Sequence, residues 1–184
     1  MNQDNTSSSS SHSTPHLKLG ELSLFCGKMG AGKSTKAKQL SADTGAVLFV
    51  EDEWLASLFP EQVRTLQDYI KYSRRIKPIV KQHVQSILLA GTSVVMDFPA
   101  NTVAQRTWLF SIFSEIGALH RLYYLDVDDS TCLRHIEKRR IEQPQRAATD
   151  TAEMFEAMAK YFVAPKPEEG FKLVYLANKQ QVCL

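Results

Sequence analysis

This chain of 184 residues is poor in most of the features that assign a protein by composition alone. Cysteine occurs three times, at Cys26, Cys132 and Cys183, an odd number without metal-site spacing. That excludes a disulfide scaffold and leads us to expect reduced, buried thiols in a cytoplasmic protein. The five histidines include no pair at ligand spacing, so a zinc site is not expected. No apolar run approaches the ~18 residues of a membrane span. The N-terminus has neither the charged nor the apolar region of a signal peptide. An excess of one charge is also missing: 22 Lys+Arg against 20 Asp+Glu leave +2, which does not suggest a dedicated nucleic-acid binder. From Met1 to about His16 the chain is Ser, Thr, Asn and His, too polar to join a core and expected to be disordered. Residues 17–184 fit one domain with enough length to bury a core.

Gly27-Lys28-Met29-Gly30-Ala31-Gly32-Lys33-Ser34-Thr35 matches the phosphate-binding pattern G-x-x-x-x-G-K-[ST] without a mismatch. The chemistry explains the residue types. Gly27 and Gly32 let the backbone curl so that consecutive N–H groups form a concave anion site. The backbone of Gly27, Met29, Gly30, Ala31 and Gly32 is expected to line that site. A helix beginning near Gly32 adds its positive end. Lys33 brings a point charge to the outer phosphates, and the Ser34 hydroxyl is placed to hold Mg²⁺. The flanks agree: Leu22–Cys26 reads as a buried strand, and Thr35 to Leu40 as a helix. The ligand class is therefore a nucleoside triphosphate with magnesium.

Strand and helix signals alternate along most of the chain. Short, nearly continuous apolar runs at Leu22–Cys26, Ala46–Val50, Ser93–Asp97, Arg121–Val127 and Phe171–Leu176 read as strands of a parallel sheet buried on both faces. Helical stretches lie between them, at Lys33–Ala42, Gln62–Ala90, Val103–Gly117, Ser130–Ile141 and Thr151–Phe162. Glycines 45, 91 and 117 stand where helices should end. The alternation predicts a three-layer α/β fold with its ligand at the carboxyl ends of the strands. Pro78 is expected to kink or divide the long Gln62–Ala90 segment.

Three further groups are due at the same edge. Asp97 ends an apolar strand and is positioned to face Ser34 and accept from a water on the metal, or else caps the strand as an ordinary acid. Glu51-Asp52-Glu53 follows the second strand. Phosphorylating a hydroxyl benefits from a carboxylate that takes its proton, and Asp52 is the preferred base with Glu51 and Glu53 as alternates. The same acids also suit the first turn of a helix before Trp54-Leu55. Arg134, Lys138, Arg139, Arg140 and Arg146 form the densest basic cluster. After the fourth strand such a segment, about 134–150, is expected to act as a lid over the phosphates, with Arg139 its best single candidate. The other reading is a solvated helix face partnered by Glu137 and Glu142. Asn101 either bonds a substrate hydroxyl or caps the next helix, and Trp108 is expected in the core.

Gly27–Thr35, Glu51–Leu55, Ser93–Asn101 and Tyr124-Leu125-Asp126-Val127 together resemble small bacterial P-loop kinases, the group described as AAA-type ATP-binding proteins or predicted kinases. That group is similar to zeta toxin, chloramphenicol phosphotransferase and the kinase part of polynucleotide kinase. The resemblance implies a P-loop NTPase fold with a five-stranded parallel sheet of order 2-3-1-4-5. It assigns nucleotide phosphates to Gly30, Gly32, Lys33 and Thr35, Mg²⁺ to Ser34, an acceptor-binding or base aspartate to Asp52, and a lid arginine to Arg139. The chain departs from zeta-like and polynucleotide kinases where Trp54-Leu55-Ala56 stands in place of an arginine after that aspartate.

These readings lead to an ATP-dependent kinase acting on a hydroxyl of a small molecule. The alternatives are a 5′-hydroxyl polynucleotide kinase and a nucleotide-dependent switch or toxin-type NTPase. A pocket lined by Glu53, Tyr69, Tyr72, Arg75, Phe98 and Asn101 would mark the first, and a basic groove outside the lid the second. Oligomeric state is left open by the sequence.

Overall fold

The computed structural model describes residues 18–144 and 149–176. The 1–16 segment, Arg146 and Cys183 therefore lie outside the described residues. Five strands, β1 (Glu21–Cys26), β2 (Val47–Val50), β3 (Val94–Asp97), β4 (Leu119–Tyr124) and β5 (Leu173–Tyr175), form one sheet in the order β2-β3-β1-β4-β5. Every neighbouring pair is parallel. The expected order is thus borne out.

Among the described residues six α-helices cover the sheet: α1 (Lys33–Thr44), α2 (Glu51–Leu58), α3 (Leu66–Leu89), α4 (Val103–Ser114), α5 (Asp129–Glu142) and α6 (Ala152–Ala159). Strand alternation divides the core. Leu22, Leu24, Val94, Met96 and Leu122 pack with α3 and α4, whereas Phe25 and Val95 pack with Ala37 of α1, Ile136 of α5 and Phe155 of α6. This makes three layers.

α3 is an uninterrupted helix of 24 residues through Pro78, so it is not divided there as expected. Its apolar stripe explains why. Tyr72, Ile76, Val80, Val84 and Leu88 recur every four residues and are all buried. Pro78 is exposed between them, on the side where water can reach the carbonyl it leaves without a helical partner. The start is fixed by a capping box between Thr65 and Asp68. Glycine ends helices as expected, with left-handed φ of 69° at Gly45, 85° at Gly91 and 68° at Gly117.

Candidate active site

β1 delivers the 27–32 loop to the carboxyl edge of the sheet, and α1 leaves from it. Gly30 (φ 78°) and Gly32 (φ 94°) take left-handed conformations that other residues resist. Gly30 has a second constraint, since a Cβ there would lie 2.4 Å from the Cys132 carbonyl oxygen of α5. The loop and α5 are therefore in backbone contact. His135 places Nδ1 2.8 Å from the Gly30 carbonyl, and Lys28 pairs with Asp129.

Of the described α-helices, α1 and α2 start without a side-chain cap, and α2 has three acids in its first turn where α1 has none. α3, α4, α5 and α6 are each capped by a side chain, from Thr65, Thr102, Asp128 and Thr151. α1 has Gly32 at its N-cap, no side-chain cap and no acid in its first turn. Its leading N–H groups are thus left to an anion, which fits a phosphate site.

Lys33 Nζ donates to the carbonyls of Gly27 (2.6 Å) and Lys28 (2.9 Å). Burial lowers its proton affinity, Asp97 opposes that, and Arg139 adds to it. Ser34 hydrogen-bonds the Asp97 carboxylate, whose pKa is raised by burial and held back by Ser34 and Lys33. Asp97 is therefore at the site rather than a remote strand cap. Thr35 is exposed on the first turn of α1, and Ala31 is buried. The Met29 side chain packs with the α5–α6 cluster and, with Lys28, Asn101, Phe155 and Phe162, lines a cavity of about 30 Å³.

Glu51, Asp52 and Glu53 open α2, and helical geometry turns them apart. Glu51 is 1% exposed and accepts from the Ser73 hydroxyl (2.6 Å) and the Tyr69 hydroxyl. Its pKa is raised by burial, with both hydroxyls opposing the rise. Glu53 pairs with Lys38 at 3.1 Å on the surface. Asp52 is exposed and lies within electrostatic range of Asp97. Asp52 is thus exposed and acts on Asp97, whereas Glu51 is buried and Glu53 is paired with Lys38.

Within the basic cluster, Arg139 is singled out. It makes a two-point ion pair with Asp150, Nε to Oδ2 at 2.5 Å and Nη2 to Oδ1 at 2.8 Å, and it influences Lys33. Arg134 instead donates to Thr131, and Lys138 pairs with Glu142 along the exposed helix. Up to Glu142 the expected lid is regular helix.

The residues considered for an acceptor pocket go elsewhere. Tyr72 stacks on Phe59, Phe98 is buried beside Trp108, and Tyr69 is bound to Glu51. Asn101 neither caps α4, which Thr102 does, nor stands free, because its Oδ1 accepts from Gly27 N at 3.3 Å. It steadies the entry to the loop. A groove of about 370 Å³ lies outside the lid on α3, lined by Gln67, Ile70, Lys71, Arg74 and Arg75.

A buried brace behind this wall escaped the sequence reading. Arg106 is 0% exposed and forks onto Glu169 (2.5 and 2.8 Å) while donating to the carbonyls of Ala100 (2.9 Å) and Val163 (2.8 Å). Val163 N in turn donates to the Asn101 carbonyl. The 162–170 segment is thereby tied to the residue that holds Gly27. Arginine spaced four residues after Asn101-Thr102 on an amphipathic helix gave no sign of burial, because its partners are remote in sequence.

Three comparisons bear on this geometry. Residues 22–165 match the family model described as AAA domain. A search of curated protein sequences finds no significant match. Among solved structures, Chaetomium thermophilum Kti12 in complex with ADP-AlF3 superposes with a TM-score of 0.61 at 18% identity, covering 87% of this chain and 90% of that one. The Mycobacterium tuberculosis APS kinase CysC in complex with AMPPNP and APS gives 0.59 at 16%, covering 89% and 91%. A chain of the Pnkp1/Rnl/Hen1 RNA repair complex gives 0.58 at 19%, covering 84% and 49%. At these identities the likeness is one of fold, that of P-loop kinases and their relatives. With the family model spanning most of its length and its P-loop formed as the motif requires, the chain belongs to the AAA domain family of nucleotide-binding P-loop proteins.

Proposed function

We propose that this protein is an ATP-dependent kinase that transfers the γ-phosphoryl group to a hydroxyl of a small molecule. The reading rests on the exposed Asp52 within electrostatic range of Asp97, which is itself bonded to Ser34 beside Lys33, and not on the expected acceptor pocket, whose residues go elsewhere. A switch needs the loop and Asp97 but gains nothing from a second exposed carboxylate there. In the reaction, Asp52 accepts the proton of the attacking hydroxyl. Lys33 and the loop N–H groups hold the outer phosphates, and Arg139 meets charge on the moving group.

The residues present fit a magnesium ion. Ser34 and Asp97 offer hard oxygen donors, and among the described residues no cluster of three His, Cys, Asp or Glu competes for a metal. Magnesium favours few protein ligands, with waters and phosphate oxygens completing its shell. Bound there, it neutralises phosphate charge. Among the described residues no helix is long and apolar enough to cross a membrane, and Cys26 and Cys132 are free and buried. Both facts support a cytoplasmic enzyme.

The deciding experiment is acceptor-stimulated ADP release across sugars, nucleosides and antibiotics. Asp52→Asn should leave ATP affinity within about twofold while lowering transfer by about 10²-fold or more, the range for a lost general base. Unchanged transfer would remove Asp52 from that role.

A second reading, a 5′-hydroxyl oligonucleotide as acceptor, is favoured by the α3 groove. Lys71, Arg74 and Arg75 line it; none of them is in an ion pair among the described residues, and Lys71 and Arg75 lie over the Tyr72 ring. Transfer of labelled phosphate to a 5′-hydroxyl oligonucleotide, with KM rising steeply between 50 and 200 mM salt, would establish it. The small-molecule reading predicts no such transfer.

A further inference from the structure

Arg139 is assigned to the phosphoryl group above, and what aims it is a separate question. Asp150 sits immediately before Thr151, the cap of α6, with its side chain 0% exposed; the Arg139 side chain is 29% exposed. A carboxylate so buried requires a cation and further donors. The pair is made side-on. Nε and one hydrogen of Nη2 face Asp150, so Nη1 and the second hydrogen of Nη2 are outside it. Of the five N–H donors of a guanidinium, three are left at the end that can fork onto a phosphate. Arg139 also bears on Lys33, the residue that marks the outer phosphates. A cation held by its side near Lys33, with no other side-chain hydrogen bond among the described residues, is arranged to meet an anion there.

We propose that Asp150 is the positioning residue of Arg139, fixing the guanidinium so that its free end meets the γ-phosphate. This rests on the kinase reading. The plainer possibility is a staple joining α5 to α6, which would stabilise the fold without regard to the nucleotide. The two differ in what the γ-phosphate feels.

Calorimetric titration of MgADP and of the Mg²⁺ complex of the β,γ-imido analogue of ATP separates them, with thermal unfolding recorded on each variant. The full-length protein is expected to prefer the triphosphate. Arg139→Ala and Asp150→Asn should each cut the triphosphate-to-diphosphate affinity ratio by about tenfold, the scale of one charge-assisted hydrogen bond. The double variant should fall no further, since one unit has been lost. Millimolar guanidinium should restore the ratio in Arg139→Ala but not in the double variant, which has no carboxylate to seat it. If Asp150→Asn does not fold, Arg139→Lys serves: it keeps a charge for Asp150 but has no fork, and the ratio should still drop. A lowered unfolding temperature with the ratio intact, in Asp150→Asn or Arg139→Lys, overturns the proposal and leaves a staple. A wild-type protein that binds neither nucleotide overturns the kinase reading itself.

Discussion

Lys33→Ala is expected to abolish phosphoryl transfer and most ATP affinity while leaving the fold intact. Nζ of Lys33 is the cation lodged inside the 27–32 loop, held by two of its carbonyls at 2.6 and 2.9 Å. Among the described residues no neighbouring cation is lodged inside the loop to take over. Lys28 is engaged by Asp129, Lys38 by Glu53 and Arg139 by Asp150. Loss of one preorganised contact to a developing charge costs about 10²–10³-fold in rate, and ground-state binding of the outer phosphates is lost as well. Stability should change little, because burial already disfavours the charged lysine. Lys33→Arg should fail too, since a planar fork does not fit between those carbonyls. Titration with ATP and measurement of ADP release test this together. Retained transfer in Lys33→Ala would remove the loop from the chemistry.

The second large effect is on stability. Arg106→Met should cost about 3–5 kcal/mol, the range for removing one partner of a buried ion pair. For a domain of this size that is roughly 6–20 °C in Tm. Glu169 would be left as a mostly buried carboxylate, and the carbonyls of Ala100 and Val163 would lose their donor. Adding Glu169→Gln should recover part of the loss, because the unpaired charge goes with it. The same pair predicts a pH dependence. Arg106 holds the Glu169 pKa below its usual 4.5, so the folded protein binds this proton less readily than the unfolded chain. The contribution is complete above that value and is lost as pH falls below about 4.5 through the folded pKa. Arg106→Met should therefore flatten the acid limb of a Tm-against-pH curve. It should also raise KM for ATP, through Val163 and Asn101 to Gly27. An unchanged Tm would show that the brace is dispensable.

Legibility in the sequence followed the range of the interaction. The phosphate loop, the strands and the helix-ending glycines are encoded within a few residues, and they stand close to where expected, although β4 begins two residues before and ends three residues before the expected Arg121–Val127. The 2-3-1-4-5 order came from resemblance, and the pairing of β1 with β3 and β4 agrees. What escaped depends on partners far along the chain. Glu51, Asp52 and Glu53 are equivalent in a list of letters, and only the docking of α3 gives Glu51 to Tyr69 and Ser73. Asn101 looked like a cap or a substrate ligand because Gly27 is not its sequence neighbour. Asp150 carries no local signal, and no ligand spacing marks His135, whose contact is a backbone carbonyl. That Pro78 does not divide α3 has the same reason. Its local penalty is certain, but the buried stripe that outweighs it belongs to the packed state.

The sheet order also sets a timetable. β1 emerges early and carries the whole phosphate motif behind it, yet neither of its sheet neighbours is β2. Leu22 waits for Val94 on one side and for His120 on the other. A nascent chain therefore displays a complete Gly27–Thr35 motif well before Asp97 exists to face Ser34. Such high contact order slows folding. It also means that nucleotide binding during synthesis should arise late and in one step, when the central strand gains its second flank.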